Sequence, residues 1–411
     1  MKRIHLVSFC ALALIFVAPL HAAPPIPTGL FYLPSGQTLD VNALTNVNVD
    51  GVVIGARWSD LEPSPDTYVF DYAVDGQSLK AQLEAVEGVG KPMRLAILTG
   101  GPGVGGNGPG TSKGNKPEWL ISMIKSDSYT ARRFFTYYDS ANTTATIPVF
   151  WEPTLLSRHA KLVQKVADYL GTSHPLVKVV FVAYANANTN DWNVGDTSPN
   201  QDGLAPIGSS PQQRWLLALP GSQTMEDALI DAGDKTFSAY HTAFPNKILT
   251  TSIGRLKNDV LNPGGKDVNG RNISEAVVTH ANAAWPGFIV AQKNNLNGGS
   301  VPLAPGTGTA WEDLDLLTVP HAAQMVWRAY DDCNGDPYGA ERMNAGFNSR
   351  CADSTQMLYQ AVQTGISYST KWQEVYEPDI LNLGNTNADP NPLPAGVPLN
   401  VIRWAHLHLT P

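Results

Sequence analysis

The sequence predicts an α/β fold, a (β/α)8 TIM barrel with long loops on its C-terminal face, and three observations carry that prediction. Short apolar runs alternate with segments of helical period along nearly the whole chain, the pattern of a parallel sheet sheathed in helices. About 390 residues follow an N-terminal leader, within the roughly 200 to 400 that such barrels occupy. No linker, low-complexity tract or solenoid period interrupts them, so residues 23–411 read as one domain.

The elements follow in order. Gly29 to Leu33 and Gly51 to Arg57 are strands, and Ser78 to Glu87 is a helix stopped by Gly88 and Gly90. Met93 to Leu98 is a third strand. Leu155, Leu156, Val163, Val166, Ala167 and Leu170 share one face of a helix that Gly171 ends. Val177 to Tyr184, apolar but for Lys178, reads as a strand buried on both faces. Thr224 with Asp227 is a capping-box variant opening a helix through Phe244. Lys247 to Ile253 and Phe288 to Gln292 are strands five and six, and a helix from Asp353 to Thr364 leads into a strand from Tyr368 to Tyr376. Beyond six, two counts compete. Pro320 suits a first helical turn, which leaves Tyr368 to Tyr376 as strand seven and Val401 to Leu409 as strand eight; this count is adopted. In the other, His321 to Tyr330 is the seventh strand.

Charge and leader narrow the setting. Twenty-eight basic residues against 36 acidic ones give a net charge of −8, which excludes the basic footprint of a nucleic-acid binder. Lys2 and Arg3 precede an apolar stretch from Leu6 to Leu20 and small residues at Ala22 and Ala23, the layout of a cleaved signal peptide over 1–22. The expected location is therefore secreted or periplasmic, with no membrane attachment after cleavage. Cys10 leaves with the leader. Cys333 and Cys351 then meet an oxidising compartment and are expected to pair as a disulfide, since two cysteines without nearby histidines do not complete a zinc site. The glycine-rich loop from Gly100 to Gly110 lacks the helix or Gly-Lys-Ser/Thr that a nucleotide would need, so it reads as a rim loop. No cofactor and no metal are expected.

In such a barrel, reactive residues collect where strands end. Reading outward from each strand finds Arg57 and Trp58 after the second, and Glu118 with Trp119 after the third. Trp151 and Glu152 precede the fourth, and Asn186, Asn188, Asp191 and Trp192 follow it. Gln292 closes the sixth, and Trp372, Glu374, Tyr376 and Glu377 lie on or after the strand from Tyr368. Carboxylates and indoles thus share one rim. Sugar rings stack on aromatics while their hydroxyls bind Asn, Gln, Asp and Arg, so a carbohydrate partner is expected. Two carboxylates across a cleft can protonate a leaving oxygen and attack the anomeric carbon. Asp191 as general acid/base and Glu374 as nucleophile are the expected pair, because each ends an apolar strand. The bland alternative for Glu62, in Trp58-Ser-Asp-Leu-Glu-Pro63, is a salt-bridged turn, and it is preferred there.

The run from Trp58 through Glu62-Pro63, Tyr68 and Asp71, followed by Pro117-Glu-Trp119, resembles the beta-galactosidase-like barrels of glycoside hydrolase clan A. The resemblance implies a glycosidase hydrolysing with retention, an acid/base carboxylate after strand four, a nucleophile after strand seven, and Arg57 as the arginine of strand two. The chain departs from that pattern after strand four, where Asn186-Ala-Asn188 replaces Asn-Glu. If His321 to Tyr330 is the seventh strand, Asp331 takes the nucleophile's place. The departure keeps a second expectation open, a carbohydrate-binding barrel without catalysis.

Overall fold

A computed structural model describes residues 22–99, 116–126, 134–138, 144–183, 221, 223–253, 273–296, 314, 317–325, 328–330, 354–384 and 396–410. Ten strands are β1 (Gly29–Leu33), β2 (Gly51–Arg57), β3 (Met93–Leu98), β4 (Phe134–Tyr138), β5 (Thr144–Pro148), β6 (Val177–Phe181), β7 (Ile248–Ser252), β8 (Ile289–Leu296), β9 (His321–Met325) and β10 (Thr370–Tyr376). Eight of them pair in parallel and close into a barrel in the order β1-β10-β9-β8-β7-β6-β3-β2. The (β/α)8 expectation holds. A short antiparallel ribbon, β4 with β5, stands outside the barrel and was not foreseen.

The helices have local causes. α1 (Val41–Thr45) is capped by Asp40, and α2 (Trp58–Leu61) follows β2 directly. α3 (Leu79–Val89) starts on Ser78, whose Oγ accepts from the Ala81 amide at 3.2 Å, and stops at Gly90 with φ +72°. α4 spans Glu118–Ser126. α5 (Pro153–Leu170) carries Pro at its first turn and buries Leu155, His159, Leu162, Val163, Val166 and Leu170, one stripe against the sheet. α6 (Met225–Ala243) opens with a full capping box between Thr224 and Asp227. α7 (Ile273–Ala284), α8 (Ser354–Ser367), α9 (Glu377–Leu383) and α10 (Val401–Leu409) complete the sheath. Among the described residues no helix is long and apolar enough to cross a membrane.

The adopted strand count is corrected. His321–Met325 is the seventh barrel strand and Thr370–Tyr376 the eighth, closing onto β1, so the place after strand seven that the resemblance gives to the nucleophile passes from Glu374 to Asp331, which lies outside the described residues. Pro320 extends the ladder rather than a helix, since its carbonyl accepts the Ala291 amide at 3.0 Å. Val401–Leu409 is a helix because Val401, Ile402, Ala405 and Leu409 bury one helical stripe, and Asn400 caps it by accepting from the Arg403 amide at 2.9 Å.

Closure puts one side chain of every two inside. Phe31, Val179, Ile248, Val290, Ala322 and Trp372 form an apolar floor, and Phe31 packs on Trp372 with ring centroids 5.9 Å apart. Gly51 leaves room for that floor: a Cβ there would sit 2.4 Å from the Phe31 ring. Gly51→Ala is expected to cost about 1–3 kcal/mol by overpacking. Denaturant unfolding measures it, and an unchanged midpoint would refute the tight approach.

Candidate active site

Above the floor the interior turns polar. Arg94 of β3 reaches across the barrel to Glu374 of β10, with Nε 2.9 Å from Oε1 and side chains 4% and 0% exposed. These strands are not neighbours, so the ion pair crosses the lumen. The Trp372 indole donates to the same Oε1 at 3.1 Å, and Gln292 Nε2 of β8 donates to Oε2 at 3.2 Å. The Gln292 amide also donates to Asn294 Oδ1 at 2.8 Å, while its own oxygen faces the Thr250 hydroxyl at 3.5 Å. The Arg94 guanidinium lies 4.3 Å from the Phe181 ring centroid. Among the described inward positions of the eight strands, Glu374 is the one carboxylate. Its donors all favour the charged form, and the opposite charge of Arg94 sits within contact distance.

One layer higher lies the mouth. Tyr376, Asn294 and Arg57 stand there, two residues beyond Glu374, Gln292 and Gly55 on their strands, while Gln324 pairs in register with Glu374 and Ser252 with Gln292. Arg57 is 17% exposed and bonds Asp75 at 2.9 Å, which fixes the guanidinium on the rim. Arg328 lies over the Tyr376 ring at 5.9 Å. Lys116 is buried and donates to the Thr99 carbonyl just past β3; burial lowers its pKa to about 8. No group of His, Cys, Asp or Glu among the described residues could hold a metal ion.

The chain shares its fold with glycosidase barrels. The catalytic domain of a beta-amylase from Paenibacillus polymyxa superposes with a TM-score of 0.52 at 10% identity, covering 93% of this chain and 98% of that one. An exo-beta-1,4-mannosidase from an Opitutaceae bacterium gives a TM-score of 0.42 at 13% identity over 93% of this chain, which spans 60% of that one. An intracellular xylanase from Thermoanaerobacterium saccharolyticum gives 0.43 at 13% identity, with 92% and 95% covered. The first of these likenesses establishes the fold and nothing of the chemistry. No protein-family model matches the sequence, and no curated protein matches it.

The structure sorts the expected site residues into three groups. Glu374, Gln292, Tyr376 and Arg57 face the lumen or its rim. Trp372 also faces inward but is sealed in the floor, so the expectation that it offers a stacking face is corrected. Trp58 is corrected too: it is 0% exposed, donates to Glu62 Oε2 at 2.9 Å and stacks on His159 at 5.5 Å, behind the sheet. Trp151 is buried in the same outer core. Glu152 caps α5, accepting from the Leu155 amide at 2.6 Å, and Trp119 donates to the Glu62 carbonyl at 2.9 Å with Arg158 over its ring at 4.8 Å. Helix and turn formation consumed these Trp-Glu pairs, whose spacing looked like a ligand rim. The preferred reading of Glu62 as an ion-paired turn residue holds, with Arg158 as partner. Asn186, Asn188, Asp191, Trp192, Asp331, Cys333 and Cys351 lie outside the described residues.

Two residues were missed. Arg94 is a lone charge inside the apolar run Met93-Arg-Leu-Ala-Ile-Leu98, and that solitary placement was the available signal. His159 interrupts the buried stripe of α5; its Nε2 lies 3.2 Å from the Tyr240 hydroxyl. Burial, helped by the positive charge of Lys116, lowers the His159 pKa to about 3. The unfolded chain therefore takes up a proton below about pH 6.5 that the folded chain refuses until about pH 3. The stability tied to this neutral imidazole is full above pH 6.5 and drains as pH falls through that window. In His159→Phe, the difference in melting temperature from the parent should change with pH across the window, the variant losing less on acidification. Parallel melting curves across it would overturn the assignment.

Proposed function

We propose that the chain is a glycoside hydrolase acting on an oligo- or polysaccharide outside the cytoplasm, working from the C-terminal mouth of the barrel without a cofactor. The observation that carries this reading is a single described lumenal carboxylate, Glu374, oriented by two hydrogen-bond donors and ion-paired with Arg94. A nucleophile must be aimed and its charged form favoured, and a fixed cation, Arg94, stands beside this one. The beta-amylase likeness supports it at the level of the scaffold. Glu374 attacks the anomeric carbon, Asp191 protonates the leaving oxygen, and water then releases the sugar with retained configuration. Arg57 and Tyr376 bind hydroxyls and ring faces at the rim. The leader exports the protein, and the bridge between Cys333 and Cys351 forms there.

A second reading has its own observation. Glu374 is fully buried and both of its oxygens already accept hydrogen bonds, as in a barrel that binds glycans and holds the carboxylate for structure. Aryl glycosides and plant or microbial polysaccharides separate the two. The hydrolase releases reducing sugar, and the first-formed anomer, read by NMR, has the substrate's configuration. Retarded migration in a glycan gel with no sugar released is the result that favours the binder.

A further inference from the structure

A cavity of about 130 Å³ lies outside the barrel, between α5 and α6. Leu156, Ala160, Val163 and Ala239 wall it, and His159 and Tyr240 form its floor. The two alanines open it, since a larger side chain at either would fill the gap between the helices. Other polar groups of the lining are spent or stand at the rim. The Thr236 hydroxyl donates to the Ala232 carbonyl at 2.8 Å, and Ser157 and Lys235 are exposed, Lys235 pairing with Asp231 at 2.6 Å. His159 is different. It is 7% exposed, stacks on Trp58 at 5.5 Å, and meets the Tyr240 ring edge-on at 5.5 Å. Its Nε2 bonds the Tyr240 hydroxyl at 3.2 Å, and its Nδ1 has no hydrogen-bond partner among the described residues. Tyr240 is fully buried and its hydroxyl has no other acceptor among those residues, so the hydroxyl proton goes to Nε2. The ring proton of the neutral imidazole then sits on Nδ1, a donor with nothing to bond.

We propose that this cavity binds a small neutral ring compound bearing one hydrogen-bond acceptor, which takes the Nδ1 proton of His159. The volume sets the size: an apolar cavity of roughly 150 Å³ holds one benzene, so a single six-membered ring fits here. The walls set the polarity, because an ion would be stripped of water with no counter-charge inside. A sugar is excluded on the same ground, since its hydroxyls would find no partners on Leu156, Ala160, Val163 and Ala239. The floor sets the acceptor, because a buried N–H without a partner is costly and an accepting atom relieves that cost. The site lies behind the sheet, apart from the lumen, so it stands independently of what the mouth binds.

Pyridine and benzene test this as a matched pair, since they share a shape and differ in one acceptor. With the full chain at neutral pH, ligand-observed NMR is expected to show both rings binding, with Kd in roughly the millimolar range. His159→Phe keeps an aromatic ring and deletes the donor, so the ratio of pyridine to benzene affinity should fall about three- to tenfold. Ala239→Leu fills the cavity and should abolish binding of both rings; Ala160→Val serves if that variant does not fold. Isotope-labelled histidine in the parent reads the bond without any substitution: pyridine should move the Nδ1 proton downfield, a change that benzene does not reproduce. If neither ring binds the parent, the cavity holds water alone and the site is overturned. Binding that survives the cavity-filling change lies elsewhere on the protein and overturns it equally. An affinity ratio unchanged in His159→Phe, with the Nδ1 proton unmoved in the parent, overturns the hydrogen bond and the ligand class built on it.

Discussion

Glu374→Gln is expected to reduce sugar release by at least about 10³-fold while glycan binding persists. The amide keeps the shape of the carboxylate but cannot form a glycosyl ester, so both the attack and the intermediate are lost. The same change leaves Arg94 buried opposite a neutral group, so the variant's fold must be verified by circular dichroism before its kinetics are read. Azide added to a smaller variant, Glu374→Ala, should restore some turnover by replacing the missing nucleophile and yield a glycosyl azide of inverted configuration. Near-normal hydrolysis by Glu374→Gln would remove Glu374 from the mechanism and move the search to Asp331, Glu377, Glu152 and Glu118. Of these, Glu152 is engaged in capping α5 and Glu377 accepts the Tyr32 hydroxyl, which leaves less freedom for either.

Arg94→Met should destabilise the fold by about 3–5 kcal/mol, because it strands the Glu374 carboxylate in the lumen without its counter-charge. The size of the effect comes from desolvation: a buried charge pays no Coulombic return once its partner is gone. Replacing both members removes the problem at its source. The double variant Arg94→Met with Glu374→Gln is therefore expected to be more stable than Arg94→Met alone, with a coupling energy of about 2 kcal/mol or more from the cycle. Denaturant melts at neutral pH measure all four corners. Additive effects of the two changes would mean that the ion pair across the barrel contributes no coupling.

Much of the scaffold was legible in order along the chain. Strands β1, β2, β3, β6, β7 and β8 each contain the apolar run that marks them, because a parallel strand covered on both faces buries most of its side chains; Arg94, Lys178 and the residues from Gln292 onward on β8 are the polar exceptions. Caps at Ser78, Thr224 and Gly90 follow from side chains and φ values that act within one turn. The seventh strand was lost to a local ambiguity: Pro320 tolerates a helix start as readily as a strand edge, and His321–Met325 is only five residues long. The tryptophans misled for a related reason. Trp58, Trp119 and Trp151 beside carboxylates fit a sugar-binding rim by composition, yet each lies on a stretch that packs behind the sheet.

What the sequence by itself determined is the alternation of strand and helix, the helix ends, and the identity of Glu374 as a carboxylate on a buried strand. These are short-range properties, set by periodicity, backbone preference and the cost of burying a charge. What only the tertiary structure decided is which residues meet. Closure of β10 onto β1 made Thr370–Tyr376 the eighth strand, and the two-residue alternation then aimed Arg94, Gln292, Trp372 and Glu374 at one point in the lumen. Those four positions are separated by up to 280 residues of chain by their numbering. No local pattern links them, because a hydrogen bond across a barrel depends on strand count and register, and both are settled only when the sheet closes.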